Sequence, residues 1–285
     1  VCGYFGPQPA RAGARGTSYF VQRFEGDAQD VETDESTQAR FLPDFSATAY
    51  TEFSRVFTLN EERDVERDQT GSTWLKLKHA VQPRLEYTYL PYADQDRHPY
   101  FDETDRIDAT NELRYSLSNI FTCKSGQLRP DPAKRGSTDI KFDFFELTRL
   151  RFEQAYNFRE ASREHQIDEY PNRPFSDVLT DLTTRLSPWL SLTNKTWISP
   201  YEGQVTEHEH YLTFAYEDLT YALFGLDFLQ EIDEYERQEQ ERQRIAKFGG
   251  AMSLSPQWSV AVLYRVDYEA SVDLEKEVVL RYDHQ

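Results

Sequence analysis

Leu75-Lys76-Leu77-Lys78-His79-Ala80-Val81-Gln82-Pro83-Arg84-Leu85-Glu86-Tyr87-Thr88-Tyr89-Leu90-Pro91 is the stretch that decides the fold class. Its odd positions are Leu75, Leu77, His79, Val81, Pro83, Leu85, Tyr87 and Tyr89, whereas its even positions include Lys76, Lys78, Gln82, Arg84, Glu86 and Thr88. Successive side chains of a strand point to opposite faces, so this is a strand with one greasy and one charged face. It is also long. Soluble strands run to about five or six residues, while a tilted strand needs about 9 to 11 to cross a bilayer.

The pattern returns at the other end of the chain. Trp258, Val260, Val262, Tyr264, Val266 and Tyr268 alternate with Ser259, Ala261, Arg265 and Asp267. Val272, Leu274, Val278, Leu280 and Tyr282 then alternate with Asp273, Glu275, Glu277 and Arg281, which predicts a hairpin. Further strands are predicted over residues 17–24, 45–57, 111–121, 140–158, 178–186, 190–198, 211–216, 219–229 and 245–254. That makes about twelve strands and no convincing helix. Apolar residues switch parity around Phe144 and Phe145, which predicts a bulge. Residues 231–247 read as a hairpin loop with strand stems, although their Glu, Gln and Arg content also suits an exposed helix.

Composition narrows the class. Hydrophobic residues are 38% of the chain and mean hydropathy is -0.76, with no apolar run near the roughly 20 residues that a spanning helix needs. The 18 Tyr and 19 Phe are too much β-prone apolar area for a disordered acidic chain. A net charge of -18 argues against nucleic acid as a partner. Cys2 and Cys123 are too few for a disulfide scaffold. The opening Val1-Cys2-Gly3-Tyr4 has neither an initiator Met nor an export signal, as expected of an internal fragment.

Connections sort into two kinds. Leu186-Ser187-Pro188-Trp189-Leu190-Ser191 and Leu254-Ser255-Pro256-Gln257-Trp258-Ser259 look like two copies of one tight turn. Residues 25–40, 59–72, 93–105, 160–174 and 231–243 are long and polar. Alternating short and long connections is the asymmetry of outer-membrane barrels.

The segment from His79 to Asn119 resembles a known family. His79-Ala80-Val81-Gln82-Pro83-Arg84-Leu85-Glu86-Tyr87-Thr88-Tyr89-Leu90-Pro91-Tyr92 is similar to a motif of the C-terminal barrel domain of the lipopolysaccharide-assembly family LptD, also called organic solvent tolerance protein. The match continues through Asp94-Gln95-Asp96, Pro99, Phe101-Asp102, Asp105-Arg106-Ile107, Asn111 and Tyr115-Ser116-Leu117-Ser118-Asn119. Residues 147–156, the two Ser-Pro turns, Tyr264-Arg265 and Leu280-Arg281-Tyr282 extend the resemblance over nearly the whole chain, most weakly over its first 40 residues. In that family a Cys-Trp or Cys-Cys-Trp motif and the last strands follow the position of Tyr282.

The resemblance implies a partial antiparallel transmembrane β-barrel, all-β, about twelve strands of a larger one. Residues 1–285 would form a single domain, with an N-terminal periplasmic domain, the closing strands and the lateral gate lying outside it. It implies transport without catalysis: lipopolysaccharide moves through the barrel to the outer leaflet of a Gram-negative outer membrane. The implied partners are an LptE-like lipoprotein plug, an LptA-like periplasmic bridge and outer-membrane lipids. Lys76, Lys78, Arg84 and Arg114 are the candidate lumen-facing charges, for phosphate-bearing glycolipid or the plug. The rival readings are a diffusion porin and a soluble all-β carbohydrate-binding protein.

Chemistry of other kinds has weaker support. In Glu207-His208-Glu209-His210 the histidines share one strand face and the glutamates the other, but no third metal ligand follows, so a solvated strand end is expected. No serine sits in a nucleophile context, and catalysis is not expected. Asp94, Asp96, Asp102, Glu103 and Asp105 lack EF-hand spacing and read as a hydrated loop, with cation bridging as the lesser alternative. Neither a metal nor a cofactor is expected. Pro83 and Pro91 predict a strand edge, bulge or terminus, and Cys123 reads as a free or locally paired thiol at a strand end.

Overall fold

The computed structural model describes residues 2–7, 10–20, 37–68, 71–92, 107–130, 138–163, 171–216, 220–231 and 242–283. The strands are β1 (Cys2–Pro7), β2 (Arg11–Phe20), β3 (Thr37–Thr58), β4 (Thr73–Leu90), β5 (Thr110–Pro130), β6 (Thr138–Asn157) and β7 (Val178–Ser187). They continue as β8 (Leu190–Ile198), β9 (Val205–Tyr216), β10 (Thr220–Leu229), β11 (Gln243–Ser253), β12 (Trp258–Asp267) and β13 (Val272–Tyr282). All belong to one 13-stranded antiparallel sheet. Its strand order follows the chain, and the sheet is not closed.

β1 and β2 lie end to end along one edge of β3. Pro7 opposes Ala49 and Arg11 opposes Ser46, so between these rungs the chain has one residue more than β3 has opposite it. That accounts for thirteen named strands against about twelve from the alternation. The first predicted strand, residues 17–24, begins earlier, at Arg11, and is described only to Phe20.

Strand ends assign the connections. Residues 21–36, 91–109, 158–177 and 230–242 join strands at one end, together with the shorter 199–204 and 268–271. The connections 188–189, 217–219 and 254–257 join strands at the other, with 131–137 and 59–72. The polar segment 59–72 therefore belongs to the short-turn end, against the simple long-or-short sorting. It carries a helix, α1 (Glu62–Arg67), which the alternation did not signal. Glu61 and Asp64 cap it reciprocally, as acidic side chains do for orphan N–H groups at a helix start. Val65 of α1 is fully buried against Leu75 and Ile140, over Gly126. A Cβ on Gly126 would stand 3.0 Å from Val65 and 3.1 Å from Leu75, so only glycine lets the helix settle there. A second short helix, α2 (Phe158–Ala161), starts where Asn157 accepts hydrogen bonds from the backbone N–H groups of Arg159 and Glu160.

Three ladder irregularities follow from local sequence. The register shifts between Phe121 and Thr122, leaving Leu147 unopposed, which places the bulge anticipated at Phe144-Phe145. Leu75 is the extra residue between Trp74 and Lys76, and so leaves the alternating face for the pocket under α1. Pro83 lies inside an interior strand, paired with Leu117 of β5, not at an edge or terminus. On its other side the β3 ladder runs from Tyr50↔Arg84 to Phe53↔Val81 without rungs at Thr51 and Glu52, because proline has no N–H to donate. Pro91 follows the last residue of β4, as a strand terminator should.

Candidate functional site

Strand pairing carries the two faces of the 75–91 stretch across the sheet. Val81 opposes Asn119, and the same row continues through Leu150, Leu182, Asn194 and His210 to Leu226, Ala246 and Val266. One residue further along, on the opposite face, Gln82, Ser118, Arg151, Asp181, Lys195, Glu209 and Asp227 stand in line. One face is apolar with occasional polar groups. The other is a lattice of alternating charge.

The apolar face is bounded by aromatic rings at both strand ends. At the short-turn end Trp74 meets Phe145 at 6.2 Å, Trp189 meets Phe214 at 5.3 Å and Trp258 meets Tyr282 at 4.8 Å. At the long-connection end Tyr156 packs against Phe158 at 5.0 Å and Phe175 at 4.9 Å, and Tyr87 against Phe45 at 6.1 Å. On β12 the step from Trp258 to Tyr268 covers about 33 Å along the strand, or about 25 Å along the normal at a tilt of about 40°. That is the height of the apolar band of an outer-membrane barrel, flanked by its aromatic girdles. Residues such as Val262, Val278 and Leu280 are half or more exposed on this face, which no other part of the protein covers among the described residues.

The polar face holds all four sequence candidates. Lys78 donates to Glu52 at 2.6 Å, and Gln82 donates to the other oxygen of the same carboxylate at 2.7 Å. Arg84 pairs with Glu86 at 2.8 Å, and Arg114 with Glu112 at 2.9 Å and Glu153 at 3.8 Å. Lys76 opposes Lys124 near α1, where Lys124 lies 3.5 Å from the centre of the Phe142 ring. Arg151 bridges Glu153 at 3.3 Å and Asp181 at 3.2 Å, and Lys195 reaches Glu209 at 3.4 Å. Arg84, Arg114, Arg149, Arg151, Gln82 and Glu153 line a polar recess of about 510 Å³. Each of these pairs is half-solvated and individually weak; together they form a hydrated, hydrogen-bonding wall. Glu86 and Glu112 stand two residues from Arg84 and Arg114 on the same strand face, whereas Glu52 and Glu153 were missed in sequence because their place beside Lys78 and Arg114 depends on register between strands.

A tighter knot lies on the same face at β9 to β11. Tyr211 donates to Asp227 at 2.9 Å, Lys247 donates to the Tyr211 hydroxyl at 3.0 Å, and Lys247 also pairs with Asp227. The Tyr211 ring lies flat over Gly225, where a Cβ would come within 2.9 Å of two ring carbons. Glycine here is a slot for the ring.

Glu207-His208-Glu209-His210 lies within β9 and is not a strand end; its histidines are on the apolar face and its glutamates on the polar one. Among the described residues no group of three or more His, Cys, Asp or Glu could hold a metal. Cys123 is interior to β5 and fully buried. Asp94, Asp96, Asp102, Glu103 and Asp105 lie outside the described residues, as do most of residues 25–40 and 231–243.

At the long-connection end, Arg163 forks onto Glu160 at 2.9 and 2.8 Å, and the Arg173 backbone N–H donates to the same carboxylate at 3.1 Å. The Arg163 hydrogen bond holds Glu160 below the ordinary carboxylate range, although burial opposes this.

Residues 4–258 match the family described as LptD, LPS transport system D. No curated protein matches the chain.

Proposed function

The chain belongs to the LptD family of LPS transport components, an outer-membrane family of transport proteins, and from that premise we propose that its sheet is one wall of a barrel that carries lipopolysaccharide to the outer leaflet. The sorting of faces supports this most directly: an apolar band between aromatic belts would meet lipid, and the charged lattice would line a hydrated lumen wide enough for sugar chains. Lys76, Lys78, Arg84 and Arg114 then face the lumen, where they meet phosphate groups of the cargo or an LptE-like plug. An LptA-like bridge delivers the cargo through a periplasmic domain. Membership of a larger closed domain is supported by the unpaired edge that both outer strands, β1–β2 and β13, have among the described residues. Lipid cannot satisfy such edges.

Photo-crosslinking during transport tests this reading. A photoreactive residue at Ser116, on the polar face, should capture lipopolysaccharide in an energy-dependent manner, whereas one at Leu117, on the apolar face, should capture bulk lipid irrespective of transport. Capture of lipopolysaccharide at neither position, with small-solute conductance intact, would replace the translocon by a porin.

A further inference from the structure

Between its aromatic belts the apolar face of β3 to β12 carries few side chains that are charged or bear an imidazole, and among the described residues all of these are basic; the one carboxylate described on that face between the belts, Asp273 of β13, accepts from the Tyr264 hydroxyl and is paired with Lys276. Arg55 and His79 lie towards the short-turn end, and His208, His210 and Arg244 towards the long-connection end. Between the belts the carboxylates of those same strands, Glu52, Glu86, Glu112, Glu153, Asp181, Glu209 and Asp227 among them, are on the other face. In a chain of net charge -18, such sorting needs a cause.

The upper group is a built cluster. His208 stacks on Phe228 at 5.0 Å and lies 4.6 Å from the His210 ring. Arg244 covers the Phe228 ring at 5.5 Å. Asn194 is hydrogen-bonded to Nδ1 of His210 at 2.5 Å, and the Thr196 hydroxyl donates to the Asn194 carbonyl oxygen at 3.2 Å. Glu269, beyond the end of β12, meets Arg244 at 3.1 Å and Arg242 at 3.3 Å, so one carboxylate stands against two guanidinium groups. Bare hydrocarbon would make this cluster costly, since charged or polar groups facing lipid tails lose their hydration. At the headgroup level an anionic lipid would reverse that cost, by charge-assisted hydrogen bonds to the guanidinium and imidazole donors.

We propose that Asn194, Thr196, His208, His210 and Arg244 form an outward-facing site for a phosphate-bearing glycolipid headgroup of the outer leaflet, distinct from the cargo route inside. This rests on the barrel reading above. Position sets the ligand's source: the cluster is on the face that meets lipid, at the end with long connections, and a headgroup reaches it while its acyl chains pack on Leu192, Leu212 and Phe224, the row two residues nearer the short-turn end.

The test is native mass spectrometry of the protein released from phosphatidylcholine vesicles doped with lipid A or with its dephosphorylated form. The wild type should retain lipid A at least about tenfold better than the dephosphorylated lipid, and inorganic phosphate should not displace it. Replacing His208, His210 and Arg244 together by Gln should abolish that preference; Arg244→Lys, which keeps the charge, should retain most of it and guards against a folding defect in the triple variant. Equal retention of lipid A by wild type and by a folded triple variant would overturn the site, as would displacement by free phosphate. Failure of the barrel reading looks different: the wild-type protein would not insert into any of the vesicles.

Discussion

Val262 and Ala261 are neighbours on β12 that face opposite ways, and arginine at each should have very different costs. Val262 is 50% exposed, opposite Gly250 and Val278, and lies four residues above Trp258 on a strand whose apolar band ends near Tyr268. If water covered that face, Val262→Arg would change stability by no more than about 0.5 kcal/mol, as is usual for an exposed position. If lipid covers it, arginine near the middle of the band costs about 2–4 kcal/mol, or roughly 30-fold to 1000-fold in the folding equilibrium. Ala261 opposes Ala251 and Val279 on the face that carries Arg265 and Glu275, where a long cationic chain can reach water. Ala261→Arg should cost no more than about 0.5 kcal/mol. Urea titration of folding into phosphatidylcholine vesicles, followed by tryptophan emission and by the gel shift of folded barrels, measures both. Equal destabilisation, or the larger cost at Ala261, would refute the assignment of faces, and negligible cost at both would put the sheet in water.

Gly225→Ala should cost about 1–3 kcal/mol in the same titration, because the added methyl meets a Tyr211 ring held in place by Asp227 and Lys247. Asp227→Leu alone should destabilise by about 1–3 kcal/mol by leaving Lys247 without its carboxylate, whereas adding Lys247→Met should recover part of that loss; additive losses would show that the pair is not coupled. Glu160 is held ionised by Arg163, so its contribution to the α2 corner is complete above the ordinary carboxylate range and disappears as pH falls through its lowered folded value. The protection of the Arg173 amide, its exchange rate relative to the intrinsic rate at the same pH, should therefore fall in acid in the wild type, and Glu160→Gln should be equally loose at neutral pH; an acid-insensitive protection in the wild type would refute the linkage.

Most of the sheet was legible because the bilayer forces a period of two onto every spanning strand. The alternation in residues 75–91 and 258–282 gave strand direction, both faces and a hairpin before any pairing was known. What alternation could not convey was height and company. His208 and His210 were correctly put on one face, but whether that face was a solvated rim or the lipid side depends on Phe228 and Asn194, which come from neighbouring strands. Glu52 and Glu153 carry no local mark distinguishing them as partners of Lys78 and Arg114. Helix α1 was hidden because six residues of charged sequence around one Val65 have no helical periodicity to detect; its place is set by tertiary contact over Gly126. Pro83 misled in a simpler way. A proline can occupy an interior strand when one neighbour tolerates missing rungs.

The strict sequential order of the strands has a kinetic side. Every named strand from β3 to β12 hydrogen-bonds to the strand that follows it in the chain, so each interface closes one connection and needs no partner from a remote part of the polypeptide. Loop-closure entropy grows only slowly with length, and hairpins form in microseconds. The sheet can thus lengthen one strand at a time, each arrival completing the edge left by its predecessor and presenting a fresh one. Such a polypeptide is always one strand short of being satisfied until its ends meet, which makes an assembling edge a natural handle for any machinery that guides strands into a membrane.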